Sequence, residues 1–368
     1  MKILLTVPSL AREFGGPVEK AFKLASSLRT LGNEVSILGC GEMSGEIEIP
    51  ILFSFHTTPF PRSIRPIKQA VRQADIVHVF GYRDPVGTIA AHLARRLGVP
   101  YLIEPVGMHR RRIRSAGLKA TFDGLLGQRI LRNASGIIAT SELERTELQE
   151  DGVAAHLIRV RPNGVNVPVA LPPRGQLRKR FAIPQSAQLV LYLGRINRKK
   201  GLPHLTRALA GREGVRGLMV GVDDDGTMRE ILRERRRLGL EKTLLIHPQG
   251  LWGEGKWGAL VDADVFCLFS ETENFGNAAA EAACAGTPVV VTDACGVAEW
   301  LDPAARKVIP FGDEALLRSA LSEILSNPSY KSAAVEGATR LRESLNWTRI
   351  AHLQMEIYHS VLGVEATK

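Results

Sequence analysis

The chain has 368 residues, 45% of them hydrophobic and 23% charged, the composition of a globular protein too long for one compact core. Its formal charge is +10, with 22 Lys and Arg against 15 Asp and Glu in residues 1–170 and 26 against 23 in the rest, so the surplus in the first half points to phosphorylated substrates, anionic lipid or nucleic acid. No run of about 18 apolar residues occurs, which argues against a transmembrane helix, and four cysteines without Cys-x-x-Cys spacing argue against zinc or disulfides and for a cytoplasmic protein.

Lys2–Val7 is a short apolar run followed by Pro8, a first β-strand rather than a signal peptide. Arg12–Gly16 is a loop ending in Gly15 and Gly16. Pro17 suits a first helical turn, and apolar residues at 21, 24, 25 and 28 predict a helix over Val18–Leu31. Glu34–Leu38 is the second strand. This opening lacks Gly-x-Gly-x-x-Gly, which argues against an NAD enzyme. Gly15 and Gly16 instead offer amides to a phosphate or sugar, or form a tight turn.

Pro59–Asp75 carries Arg62, Arg65, Lys68 and Arg72 at helical spacing beside Ile64, Ile67 and Val71, a basic amphipathic helix. Asp75–Phe80 is a strand containing His78, Thr88–Leu97 a helix and Tyr101–Glu104 a strand. His109 follows that strand's carboxyl end. Arg110, Arg111, Arg112, Arg114 and Lys119 come next with no acid among them. After the strand Gly136–Thr140, Ser141 caps a helix over Glu142–Glu150, with Glu144 at capping-box spacing. Arg159–Val167 closes a first domain, and the proline-rich Pro168–Gly175 opens a linker.

The second domain repeats the alternation. The strand Leu189–Leu193 leads into the basic loop Gly194–Gly201, whose Arg195 suits bidentate phosphate binding and whose lysines add point charges. After Gly217–Gly221 come Asp223, Asp224 and Asp225. They suit a divalent metal, and a solvated helix start still better. Leu244–His247 is a strand, and Gly253–Leu260 leads through a short helix to Asp264–Ser270, a buried strand. Glu273–Gly276 is then a loop, Asn277–Ala285 an alanine-rich helix capped by Gly286, and Thr287–Thr292 another strand. Helices over Glu314–Leu325 and Asn346–Leu362 complete the chain.

The loop Glu273–Gly276 lies at a strand's carboxyl end and a helix's amino end, where open α/β sheets bind ligands and backbone N–H groups favour anions. Glu273 and Glu281 flank it. Two carboxylates around a phosphate-friendly loop suit a nucleotide sugar; the alternative is chance spacing, with Glu281 a solvated helix residue.

Glu-x7-Glu followed by Ala-x-x-Ala-Gly-Thr-Pro-Val-Val resembles the signature of retaining glycosyltransferases of family 4 (group 1) type, and Gly194-Arg-x-x-x-Lys-Lys-Gly201 resembles their diphosphate loop. The Gly-Gly loop, Pro162–Val165 and Asn346-Trp347 extend the resemblance over almost the whole chain. It implies an α/β protein of GT-B fold, two Rossmann-like domains facing across a cleft. The acceptor-side domain would span 1–167, the linker 168–185, the nucleotide-sugar domain 186–345, and a helix over 346–368 would cross back to the first domain.

The resemblance also implies the site. Glu273 would contact the donor sugar, Glu281 the ribose, and Arg195 and Lys200 the diphosphate, with Gly15, Gly16, Asn274, Phe275, Gly276 and Asn277 completing the donor site. His109 is the candidate for the histidine that many members carry near this strand end, although Pro-Val-Gly-Met-His departs from the commoner context. His78, inside an apolar strand, reads better as a core residue. The catalytic set would be Glu273, His109, Arg195 and Lys200, with no metal or other cofactor.

The implied reaction is hexosyl transfer, with retention, from a nucleotide-diphosphate sugar to a saccharide or lipid-linked saccharide in bacterial surface polysaccharide or glycolipid assembly. The two basic clusters of the first domain would hold the protein at the anionic inner face of the plasma membrane; the alternatives are ordinary surface charge or a soluble phosphorylated acceptor, which would leave a cytoplasmic enzyme. A GT-B epimerase or hydrolase is the alternative enzyme. A basic nucleic-acid-binding protein is disfavoured by an aromatic content of 6% and the lack of any known motif.

Overall fold

The computed structural model describes residues 1–10, 16–41, 51–55, 64–81, 83–107 and 127–364. Two compact units divide the chain, residues 1–164 with 347–368, and residues 165–346.

The first unit is built on seven parallel strands: β1 (Lys2–Thr6), β2 (Glu34–Cys40), β3 (Ile51–Phe55), β4 (Ile76–Phe80), β5 (Tyr101–Glu104), β6 (Gly136–Ala139) and β7 (Ile158–Val160), in the order β3-β2-β1-β4-β5-β6-β7. β4, β5 and β6 are buried along their whole length, as strands covered on both faces must be, and so read as continuous apolar runs. Around them run α1 (Gly16–Thr30), α2 (Arg65–Gln73), α3 (Pro85–Leu97), α4 (Gln128–Arg132) and α5 (Glu142–Glu150). The basic helix predicted from Pro59 begins at Arg65. It buries Ile67, Ala70 and Val71 and leaves Arg65 and Arg72 exposed. Arg62, Arg110, Arg111, Arg112, Arg114 and Lys119 lie outside the described residues. Ser141 caps α5, accepting from the Glu144 N–H at 3.1 Å. The Glu144 carboxylate turns back to Thr140, one residue short of the usual box partner, accepting from its N–H and hydroxyl at 2.7 and 2.8 Å.

The second unit has six parallel strands: β8 (Gln188–Leu193), β9 (Val215–Val220), β10 (Leu244–His247), β11 (Val265–Leu268), β12 (Val289–Thr292) and β13 (Arg306–Ile309), in the order β10-β9-β8-β11-β12-β13. Its helices are α6 (Gln176–Arg180), α7 (Leu202–Ala208), α8 (Thr227–Arg237), α9 (Gly253–Asp262), α10 (Asn277–Cys284), α11 (Glu314–Ser326) and α12 (Ser329–Leu345). Residues 176–185, inside the expected linker, are part of this unit. Arg178 is fully buried and donates to the carbonyls of Pro184, Ala187 and Asp262 and to the Asp264 carboxylate.

The last helix, α13 (Trp347–Leu362), returns to the first unit. It packs against α1 and buries Ile350, Ala351, Gln354 and Tyr358.

Candidate functional site

In the second unit the strand order reverses between β8 and β11. From β8 the chain moves outward to β9 and β10, then returns to β11 on the other side. The loops leaving β8 and β11 therefore diverge at their carboxyl ends, the place where open α/β sheets form a ligand crevice. The two predicted motifs occupy these two loops. Gly194–Gly201 follows β8, and Glu271–Gly276 follows β11.

Side chains join across the gap. The Lys200 ammonium is ion-paired to the Glu273 carboxylate, with the two groups 17% and 20% exposed. The Glu271 N–H donates to the Lys199 carbonyl at 2.7 Å, which locks the loops backbone to backbone. Gly201 (φ +60°) lies so close that a Cβ would collide with the Phe269 carbonyl. Gly276 (φ +99°) turns the chain into α10 in a left-handed conformation that other residues rarely adopt. The amino end of α10 therefore lies directly after this loop, where a helix's N–H groups and dipole favour an anion. Glu273 is held on its other side by Cys295, through an isolated bridge and an N–H donated to the Ala294 carbonyl at 3.1 Å.

The Phe275 ring is buried, 2% exposed, and its carbonyl accepts from the Val297 N–H at 2.6 Å.

Arg195 is 72% exposed and pairs with Asp224 at 3.1 Å. Asp224 also accepts from the Asn197 amide at 3.3 Å, and Asp225 from the Arg198 N–H at 3.0 Å. Asp223 caps the turn into α8 through the Gly226 N–H at 3.0 Å. The carboxylates after β9 thus brace the basic loop beside them. Beneath it, the Tyr192 hydroxyl donates to the Arg195 carbonyl at 2.6 Å; burial, with Glu273's charge added, raises that phenol well above its usual pKa and keeps it a donor. Burial likewise pushes the Cys295 thiol up to about 11, leaving it un-ionised.

Glu281 lies on α10 and pairs with Lys256 of α9 at 2.7 Å. Lys256 also stands over the Trp257 ring, 5.5 Å from its centroid. Nothing near position 256 in the sequence pointed to it; the pairing follows from α9 and α10 flanking β11 and packing together. If Glu281 holds a ribose, Lys256→Ala should change nucleotide affinity by no more than about threefold, whereas Glu281→Ala should weaken it about tenfold, the range for a hydrogen bond to a charged group. Titration calorimetry with nucleoside diphosphates checks this, and equal losses in both variants would make the pair a structural clasp.

In the first unit, Gly16 opens α1, while Gly15 and His109 lie outside the described residues. What the structure brings together there is a buried charge cluster. Glu104, ending β5, accepts from Lys20 of α1 and from Arg161 Nη2 at 2.6 Å, and Lys20 also donates to Asn163. His78 of β4 shares a 2.8 Å hydrogen bond with the Tyr358 hydroxyl of α13 and stacks on Phe80. Its Nε2 lies 3.5 Å from Glu104 and is unsatisfied among the described residues. His78 is fully buried in β4, and burial holds its imidazole below the ordinary pKa. Burial alone would raise the Glu104 pKa, yet Arg161 and Lys20 hold it far below the usual range. Burial brings Lys20 down to about 8 against the pull of Glu104.

Among the described residues no group of His, Cys, Asp and Glu is arranged to hold a metal, and no helix is long and apolar enough to cross a membrane.

Comparison with known proteins agrees with this architecture. The family model described as "Glycosyl transferases group 1" matches residues 173–341, and that described as "Glycosyl transferase 4-like domain" matches residues 15–164. The chain is similar to a phosphatidyl-myo-inositol mannosyltransferase of Mycobacterium leprae, 31% identical over 61% of this chain. That match spans only 59% of the relative's length. The protein of the same name from Mycolicibacterium smegmatis is 26% identical over 99% of this chain and 95% of its own. Among solved structures, Anabaena HepE in complex with UDP and glucose superposes with a TM-score of 0.80 at 19% identity, covering 98% of this chain and all of its own. The chain therefore belongs to the group 1 glycosyltransferases, with the two Rossmann-like units of the GT-B fold.

Proposed function

We propose that the protein transfers a sugar from a nucleotide-diphosphate donor to an acceptor hydroxyl with retention of anomeric configuration. One observation carries the reading. Lys200 and Glu273, from loops that diverge at the β8/β11 switch point, meet beside the amino end of α10. A cation, a carboxylate and helix amides at one spot supply what a sugar diphosphate needs.

In this reading the donor diphosphate takes the Lys200 ammonium from Glu273. The freed carboxylate then accepts hydrogen bonds from the sugar hydroxyls. Arg195, exposed and joined to Asp224 in a surface pair, swings to a phosphate oxygen. As the glycosidic bond to the diphosphate lengthens, negative charge grows on the leaving oxygen, and Lys200, Arg195 and the α10 amides stabilise it. The departing phosphate accepts the acceptor's proton on the face it leaves, so no protein nucleophile is required. Charge neutralisation thus rests on these cations rather than on a metal.

The acceptor belongs with the first unit. The basic face of α2 and the lipid named in the mycobacterial relatives' descriptions support a saccharide carried on a lipid, used at the inner face of the plasma membrane. A thermal-shift screen against UDP-, GDP- and ADP-sugars tests the donor. The matching donor at 100 times its Kd should stabilise the fold by about 2.7 kcal/mol through mass action. No shift with any nucleotide sugar would overturn the proposal, and nucleotide release that needs no acceptor would turn it to hydrolysis.

A further inference from the structure

A groove of about 390 Å³ runs along α3 between the start of α2 and α4. Its floor is apolar: Ile64, Ile89, Leu93, Tyr101 and Ile130. The Tyr101 hydroxyl donates to the Ile130 carbonyl at 2.7 Å, which pins α4 to β5 and fixes one wall. Ile64 stands 51% exposed at one end. From Thr88 to Arg96 the groove follows α3 for about 12 Å, at 1.5 Å of rise per residue.

The other end is basic. Arg95, Arg96 and Arg129 line it with His92, and among the described residues no carboxylate does. The three guanidinium groups form no ion pair among the described residues, unlike the buried arginines of either unit, each of which has a carboxylate. Their joint potential, after burial, depresses the His92 imidazole. Arg65, Lys68 and Arg72 of the neighbouring α2 extend the positive field. An apolar trough ending in arginines that have no carboxylate beside them among the described residues is complementary to an amphiphile with an anionic head, since the head supplies counter-charge and the tail covers the exposed Ile64 and the half-buried Ile89. The basic end lies at the last turn of α3 and the first residue of β5. It is at the sheet edge opposite the strand carboxyl ends, where Glu104 and the loop after it lie, so this is a second site and not part of the transfer site.

We propose that this groove holds one acyl chain of an anionic phospholipid, with the phosphate between Arg95, Arg96 and Arg129. The protein then grips a single lipid rather than only adsorbing to a charged surface. The idea is independent of sugar transfer and is tested without nucleotide. Titration calorimetry with monomeric diheptanoyl-phosphatidylglycerol should show saturable binding to one site. Glycerol 3-phosphate, which has the phosphate without chains, and diheptanoyl-phosphatidylcholine, which has the chains without net charge, should each bind at least tenfold more weakly. Ile89→Trp, which fills the trough, and Arg95→Ser/Arg96→Ser, which are exposed changes, should each cost at least tenfold in affinity for the anionic lipid. Equal binding of glycerol 3-phosphate would reduce the site to a bare phosphate patch. Equal binding of the zwitterionic lipid, or undiminished binding by the arginine variant, would overturn the proposal outright. Should Ile89→Trp fail to fold, Ile64→Glu, an exposed change that sets a carboxylate at the groove's apolar end, replaces it with the same expected loss.

Discussion

Glu104→Gln is expected to destabilise the first unit by about 3–5 kcal/mol, the cost of leaving buried charge without its counter-ion. Scanning calorimetry should show a transition lowered by roughly 6–20 °C for a unit of this size. Among the described residues Glu104 is the anion that pairs with both buried cations, Lys20 and Arg161. Lys20→Met should be far milder, because it leaves Arg161 and Glu104 as a one-to-one pair and removes a charge that burial already disfavours.

pH separates the two residues. The depressed pKa of Glu104 gives stability that is present above the ordinary carboxylate range and is lost as pH falls through the native value. Lys20 is also depressed, from 10.5 to about 8. Its contribution favours the folded state fully only above 10.5 and is lost as pH falls through about 8, because the unfolded chain binds that proton more tightly. Stability in urea should therefore rise from pH 8 to pH 10 in the native protein relative to Lys20→Met. Parallel profiles would mean that Lys20 is not strained by burial.

Lys200→Ala is expected to lower turnover by about 5- to 150-fold, which corresponds to 1–3 kcal/mol of stabilisation of the departing diphosphate. Glu273→Ala should fall comparably in kcat, while the double variant should fall by less than the product of the two, because each single change also strands the other's charge. A strictly multiplicative double variant would show that the pair never communicates during the reaction. Melting temperatures report separately on folding. The pair is only about four-fifths buried, so neither change should shift stability as Glu104→Gln does.

Both predictions concern residues whose legibility in the sequence differs for a physical reason. β8, β11 and β12 were readable because strands buried on both faces are continuous apolar runs. The Glu273 and Lys200 loops were readable because they follow such strands directly. Lys256 was not, since its partner Glu281 stands 25 residues on and only the packing of α9 on α10 joins them. The charge cluster was less legible still: Lys20 and Asn163 are 143 residues apart, and Arg161 and Glu104 57. Asp223–Asp225 read as a solvated helix start because the neighbour they brace belongs to an adjacent strand's loop. β13 is an edge strand with Arg306 and Lys307 in it, and α12 faces its neighbours with Ala334, Gly337 and Ala338, so neither carries a strong apolar period.

The late position of α13 in the chain has a consequence for synthesis. A ribosome delivers residues 1–164 and then the whole 182-residue second unit before Trp347 appears. During that interval His78 lacks Tyr358, and the apolar surface that Ile350 and Ala351 cover is bare. At about 5–20 residues per second the wait is roughly 10–35 s. Nascent domains ordinarily close in order from the amino terminus. Here the order is inverted: the unit that is made first is the last to be finished, and it stays open to proteases and chaperones until the final helix arrives.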